Sequence, residues 1–326
     1  MTGPGAPAAH ARVSLTAVIV SVDATTPRLL TVQGSDGEAL PSGQLDDSAD
    51  RTLEQAVRRL VSSELGLPVR YFEQLYTFGD RNRVPGDRTL AVAYLALARY
   101  QGVHGPGNPQ WRDCYALFPW EDWRRGRPQV LGSVIVPALL RWLAASPPSD
   151  VAIRTERAEL TFGVGQALWD PVRVLDRYEL LYELRLVAEA STEPPGGSGA
   201  GAGRARPGGR DGHPALGLAL ALDHRRVAAA ALERLRGKLA YRPVVFEVLP
   251  ESFTLSTLQQ VVEAFAGQVL HKQNFRRLVA SSNLVEPTGE PEVRTGGRPA
   301  ELYRFRREVL RERPAPGLGL RRLGGP

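Results

Sequence analysis

The stretch "TLSTLQQVVEAFAGQVLHKQNFRRLVASS", residues 254–282, reads as two helices joined by a short turn. Thr254 can cap the first, because its hydroxyl accepts from a first-turn N–H that has no partner inside the helix. Leu255, Leu258, Val262 and Phe265 then share one apolar stripe. Gly267 suits the stop, where a left-handed residue is favoured. In the second helix, 271–282, Phe275, Leu278 and Val279 gather on one side and are expected to face a core. Gln273 and Arg277 point away from that side, with Asn274 and Arg276 on its flanks. His271 and Lys272 stand at the helix entrance.

Downstream, "LVEPTG" and "AELYRF" read as two strands, with "EPEVRTGGRP" as the turn between them. Helix, turn, helix and a two-stranded wing is the winged-helix plan. Arginine, asparagine and glutamine are the side chains that read base edges in a major groove. In the wing, Gly297 permits close backbone approach, while Arg294 and Arg298 suit phosphate or the minor groove. A solvated, Arg-rich helix face is the plainer reading of "NFRR", and the complete order of elements outweighs it.

The chain upstream is organised differently. "SLTAVIVSV" (14–22), "RLLTVQG" (28–34), "FEQLYTFG" (72–79) and "TLAVAYLALARY" (89–100) read as strands. Residues 51–66 read as a helix on the stripe Leu53, Val57, Leu60 and Val61, with Asp50 as cap and Gly66 at its end. Strand, strand, helix, strand, strand predicts a mixed α/β (α+β) sandwich. Residues 38–50 read as a loop, and "LFPWEDWRRG" (117–126) as a Trp-rich turn region. Helices are expected at 130–146, with Pro137 early in it, at 173–191, and at 223–240 with Asp223 as cap. Residues 192–214, rich in Gly, Pro, Ala and Arg, hold too little apolar surface for a core and are expected to be disordered. The same is expected of the tails 1–11 and 313–326.

The net charge is +6, from 41 Lys+Arg against 35 Asp+Glu. Lys238 and Lys272 are the only lysines, so an Arg-rich composition inflates the basic signal and the placement of charge must carry the argument. One cysteine, Cys114, excludes an internal disulfide or a multi-cysteine metal site and fits a cytoplasmic location. No signal peptide is evident. The apolar runs are too short to span a bilayer, so no membrane partner is expected.

"RRLVSSELGL" (58–67), following "LPSGQL" (40–45), resembles the metal-binding box of the Nudix hydrolases with its carboxylates removed. In that family several glutamates on one helix face hold divalent cations against a pyrophosphate. Aligned on Gly66, Arg59 holds the box arginine, Leu60 and Ser63 replace two glutamates, and Glu64 remains. Leucine cannot ligate a cation, and one carboxylate rarely holds magnesium. The expectation is a pseudo-enzyme with no catalytic residues, no metal and no cofactor. The alternative is an ADP-ribose pyrophosphatase-like Nudix hydrolase with an accessory domain, drawing on Asp46, Asp47, Asp50 and Glu54. A third reading is a protein-interaction adaptor lacking both activities. The exposed Gln/Asn/Arg arc disfavours it.

"DHRRVAAAALERLRGKLAYRPVVFEVLPESFTLSTLQQVVEAF" with "KQNFRR", "LVEPTG" and "GRPAELYRF", from about Asp223 to Phe305, resembles the Nudix-related transcriptional regulators known as NrtR. The resemblance implies a Nudix-like sensor over 12–240 and a winged helix-turn-helix over 241–312. It also implies a homodimer on a palindromic double-stranded DNA operator, and repression of NAD-metabolism genes relieved by ADP-ribose or a similar nucleotide. Residues 125–214 form an insertion relative to that pattern. For a diphosphate ligand the candidates are Ser42 and Gly43, whose loop can offer backbone N–H groups, with Arg59, Glu64, Arg81 and Arg83.

Overall fold

The computed structural model describes residues 11–80, 83, 88–191, 212–292, 299–312 and 317–318. The sheet is built from β1 (Arg12–Asp23), β2 (Thr26–Gly34), β3 (Gly37–Ala39), β4 (Ser42–Gln44), β5 (Tyr71–Phe78), β6 (Thr89–Leu97) and β7 (Gln110–Asp113). Its order is β3-β2-β1-β6-β5, with β4 also on β1 and β7 on β2. The β1·β6 pair is parallel and the other pairs are antiparallel. Parallel neighbours are buried on both faces and so read as continuous apolar runs. Leu15, Ala17, Ile19, Val92, Tyr94 and Ala96 pack on one side against helix α1 (Leu53–Arg59), which continues as a wider turn through Leu60–Glu64. Val18, Val20, Val22, Ala93, Leu95 and Leu97 join the core on the other side, which holds α6 (His224–Leu239).

After β7 come a short α2 (Cys114–Leu117) and then α3 (Val136–Ala144), α4 (Val151–Phe162) and α5 (Val174–Glu183). Helix α5 packs on α6, which is thereby enclosed between the sheet and the inserted helices. Such a helix needs small apolar residues along its middle. Ala228, Ala229, Ala230 and Ala231 are all buried, and their size lets both neighbours approach. Next are α7 (Leu255–Ala266), α8 (Lys272–Ser282), β8 (Val285–Glu292), β9 (Ala300–Phe305) and α9 (Val309–Glu312). Phe253 bridges to Tyr303 beside the β8·β9 hairpin. Phe246 stacks on Phe305 with ring centroids 4.4 Å apart. Leu258, Val262, Phe265, Phe275 and Val279 complete this core, which is continuous with that of the sheet. Among the described residues no helix is long and apolar enough to cross a membrane.

Several expectations are corrected. The cap of α1 is Thr52, whose hydroxyl accepts from Gln55 N–H at 3.1 Å, because Asp50 is engaged elsewhere. Asp223 stands at the N-cap of α6 as expected, but its side chain makes no capping bond. The loop 38–50 contains β4 and part of β3. The helix expected over 173–191 ends at Glu183, and Arg185 takes a left-handed conformation, φ 54°. Most of the expected disordered stretch 192–214 lies outside the described residues. Its end is held in place: His213 N–H donates to Leu186 O at 2.9 Å, and Pro214–Leu216 form a 3-10 turn. The expected tail 313–326 contributes Leu318 to the core, and its other residues, Gly317 apart, lie outside the described residues, as does 1–10.

His224 makes the stability pH-dependent. It is buried, and its Nδ1 accepts Leu40 N–H at 3.0 Å. Burial, with the nearby Arg83 charge, pushes its pKa down from 6.5 to about 3. Between these values the unfolded chain binds the extra proton, so stability is full above about pH 6.5 and falls as the pH drops toward 3. From pH 7 to pH 5 this residue is expected to remove about 2 kcal/mol. In His224→Asn, whose amide oxygen can accept the same bond, urea unfolding at the two pH values should lose that increment.

Candidate functional site

The second helix of the C-terminal pair presents the face expected of it. Phe275 and Val279 are buried and Leu278 half-buried, while His271, Lys272, Gln273, Asn274, Arg276 and Arg277 are all exposed. Helix α7 orders this face from below: Thr254 caps its start, accepting Thr257 N–H at 3.1 Å, and Gly267 ends it in the left-handed region at φ 70°. Asn283 ends α8 in the same way. Arg277 donates to Asn274 Oδ1 at 3.0 Å, which fixes the amide and leaves its NH2 outward as a donor. Gln273, Asn274, Arg276 and Arg277 form one exposed arc opposite the side of α8 that packs into the core, with His271 and Lys272 at the helix entrance, the arrangement that fits a major groove.

The wing residues Arg294, Gly297 and Arg298 lie outside the described residues. The flanking strands carry two cations that are not among the sequence candidates. Arg304 pairs with Glu286 at 2.6 Å, and Arg306 pairs with Glu312 at 3.1 Å and donates to Asn283 O at 3.1 Å. Their placement on and just after β9 is legible from "LYRFRR", but their acid partners are not.

The sensor candidates are placed differently from expectation. Arg59 is held by Asp50 through two bonds, Nε–Oδ1 at 3.0 Å and Nη2–Oδ2 at 2.7 Å, with Glu64 at 3.6 Å. The Asp50 side chain is 1% exposed against 39% for Arg59, so the fork is committed to the acid and only its outer edge meets solvent. Hydrogen bonds from Arg59 and from Asp46 N–H hold the Asp50 carboxyl below the usual range. Gly43 is in strand, opposite Leu15. On either side of it Ala17 N–H bonds Pro41 O and Leu45 N–H bonds Val13 O, so by the two-residue alternation Gly43 N–H faces β1 and not a ligand. The Ser42 hydroxyl bonds Thr16 Oγ1 and Leu40 O, both at 3.1 Å. Arg83 is buried on Asp223 at 2.8 Å, so it is not a free phosphate-binding cation. Arg81 lies outside the described residues, and Glu64 is exposed.

Leu60 is buried, and its Cδ1 lies 3.5 Å from where a Cβ on Gly43 would stand. The position where a metal-binding glutamate would project is thus filled by hydrocarbon. Of the other acids, Glu54 lies on Arg58 at 2.8 Å, Asp46 accepts from Ser48 and Ala49, and Asp47 is exposed. Among the described residues no three His, Cys, Asp or Glu side chains converge on a point that could hold a metal. Among the described residues the side chains around Leu60 do not form a donor set for a divalent cation.

The comparisons with known proteins bear on both halves. A family model covers residues 245–305. The match is to the NrtR DNA-binding winged helix domain. The "ADPR responsive transcriptional repressor NtrR" of Acinetobacter baylyi is 41% identical over 91 residues, 28% of this chain and 36% of that protein. The chain therefore spans about a third of the curated relative's length. Shewanella oneidensis NrtR, solved with a 27mer DNA, aligns with 91% of this chain and 94% of its own, at 23% identity and TM-score 0.51. A MutT/nudix family protein from Enterococcus faecalis aligns with 94% of this chain and 90% of its own, at 16% identity and TM-score 0.51. These likenesses show the fold: a Nudix-like α/β/α sandwich followed by an NrtR winged helix.

Proposed function

We propose that this chain is a DNA-binding transcriptional repressor with a catalytically degenerate Nudix sensor. The sandwich spans 12–240 with its helical insertion, and the winged helix spans 241–312. The observation that carries the reading is the exposed arc His271, Lys272, Gln273, Asn274, Arg276 and Arg277 on α8. Its partner is double-stranded DNA, a palindromic operator bound by a homodimer, since two-fold protein symmetry is mirrored in half-site symmetry. The regulated genes are those of NAD metabolism. The effector is ADP-ribose or a related NAD-derived nucleotide, as the name of the Acinetobacter relative supports for that protein. A switch must bind its ligand without consuming it, and a leucine in place of the first box glutamate serves that end. Glu64 and the outer edge of Arg59 are the sensor candidates the geometry leaves open to a ligand.

The test is a gel shift on DNA upstream of this protein's own gene and on NAD-biosynthesis promoters, with and without ADP-ribose. Specific retardation that ADP-ribose relieves supports the reading, and retardation of no tested fragment overturns it. ADP-ribose incubated with the protein and magnesium or manganese should stay intact. Robust turnover would establish the hydrolase reading instead.

A further inference from the structure

Helix α6 is anchored at both ends by polar contacts to segments far away in sequence. At its start, Asp223 Oδ2 accepts from Arg83 Nε at 2.9 Å, His224 Nδ1 accepts from Leu40 N–H at 3.0 Å, and Arg226 reaches Asp80 at 2.8 Å. Leu40 precedes the strand that holds Ser42 and Gly43, and Asp80 and Arg83 follow β5, so these partners lie at one rim of the sandwich proposed as the sensor. At the other end Arg236 donates to Phe265 O at 3.0 Å and to Glu121 Oε2 at 2.5 Å. Tyr115 OH donates to Ala264 O at 2.7 Å, and Trp123 N–H to Gly267 O at 2.7 Å.

The last carbonyls of a helix lack partners within it and must find them elsewhere or be solvated. In α7 two of those carbonyls, Ala264 O and Phe265 O, are satisfied by Tyr115 and Arg236, outside the winged helix, while Glu263 O accepts Gly267 N–H. His224 and Arg236 are separated by about 18 Å at the helical rise. Between them Val227, the four alanines, Leu232 and Leu235 are buried, so the helix cannot bend without opening the core on both sides.

We infer that α6 is a rigid strut through which the sensor rim positions the recognition helix, with Asp223 and His224 as positioning residues at one end and Arg236 at the other. The inference rests on the proposed function for the meaning of the two ends, and its test needs neither DNA nor ligand. Coupling between sites requires an element that both ends can bias. The strut supplies one whose far end is the α7–α8 turn.

Hydrogen exchange on the full-length protein tests this. His224→Leu removes the acceptor for Leu40 N–H, and His224→Asn retains one. Amides 267–276 should exchange at least 10-fold faster in His224→Leu and return to the wild-type rate in His224→Asn. Acceleration confined to residues 37–44 and 221–228 would overturn the inference. Should His224→Leu not fold, Arg83→Gln, which weakens the bond to Asp223, is read at the same amides with the same two outcomes. Because the wild-type gel shift judges the proposed function separately, failure of the strut and failure of that function are distinguishable.

Discussion

Replacing Arg276 and Arg277 together with alanine is expected to abolish operator binding and leave the fold intact. Both side chains are exposed, away from the side of α8 that buries Phe275 and Val279. Among the described residues the internal bond removed is Arg277 to Asn274, an exposed pair of little value to stability. Each arginine that meets a base edge or a phosphate contributes about 1–3 kcal/mol. Their joint removal therefore corresponds to roughly 30-fold to 20,000-fold in affinity. If either meets phosphate, the slope of log affinity against log salt should also fall by about 0.9 for each phosphate no longer neutralised. The measurement is a fluorescence-anisotropy titration at several salt concentrations, with circular dichroism to check folding. Wild-type affinity in the double variant would mean that α8 does not enter the groove.

The second large effect is on stability. The Glu121 side chain is fully buried, and its carboxylate is shared by two guanidinium groups. Arg177 donates to it at 2.6 and 3.0 Å and lies over the Trp169 ring, 3.8 Å from the centroid. Arg236 approaches from α6 at 2.5 Å. Removing the shared acid in Glu121→Ala leaves two buried cations facing each other without a counter-charge. A buried pair broken on one side costs about 3–5 kcal/mol, much of it from the charge left behind. Denaturant unfolding should show a decrease in that range. The triple variant Glu121→Leu, Arg177→Met, Arg236→Met removes every charge at once and should be less destabilised than Glu121→Ala, because no ion remains desolvated. A decrease below about 1 kcal/mol in Glu121→Ala would show that the cluster is solvated rather than dry.

What is legible in the sequence is local. The unbroken apolar runs of β1 and β6 and the stripes of α7 and α8 are imposed by burial, and periodicity reveals them directly. The arc on α8 follows from its helical wheel, because the core holds only one side of the helix. Helix α4 is not legible because its apolar residues point the wrong way. Ile153 is 71% exposed and Leu160 45%, while Thr161 and Ala158 are buried. Strand β7 offers four residues, "QWRD", with no alternation to detect. Asp50 and Asp223 read as helix caps because an acid before a helix is usually one. Their true partners are Arg59, nine residues on, and Arg83, 140 residues back. Pairings of that kind arise from tertiary structure and leave no spacing to read. Leu60 is legible as a missing ligand, but its packing on Gly43 emerges only once β4 is laid beside β1.

Gly267 bears on how this protein could be re-engineered. A Cβ there would stand 2.4 Å from Glu121 O, 2.6 Å from Arg236 Nη2 and 2.9 Å from Tyr115 OH. At Gly267 the seam between the two halves is closed by one backbone carbonyl and two specific side chains, with no room for a Cβ between them. A chimera that transplants residues 245–305 onto a foreign sensor leaves behind Tyr115, the Trp123 N–H and Arg236 with its counter-ion Glu121, which close the end of α7. Such a graft needs Tyr115, Glu121 and Arg236 rebuilt in the host. The modular unit that can be moved intact is therefore larger than the segment a family boundary outlines.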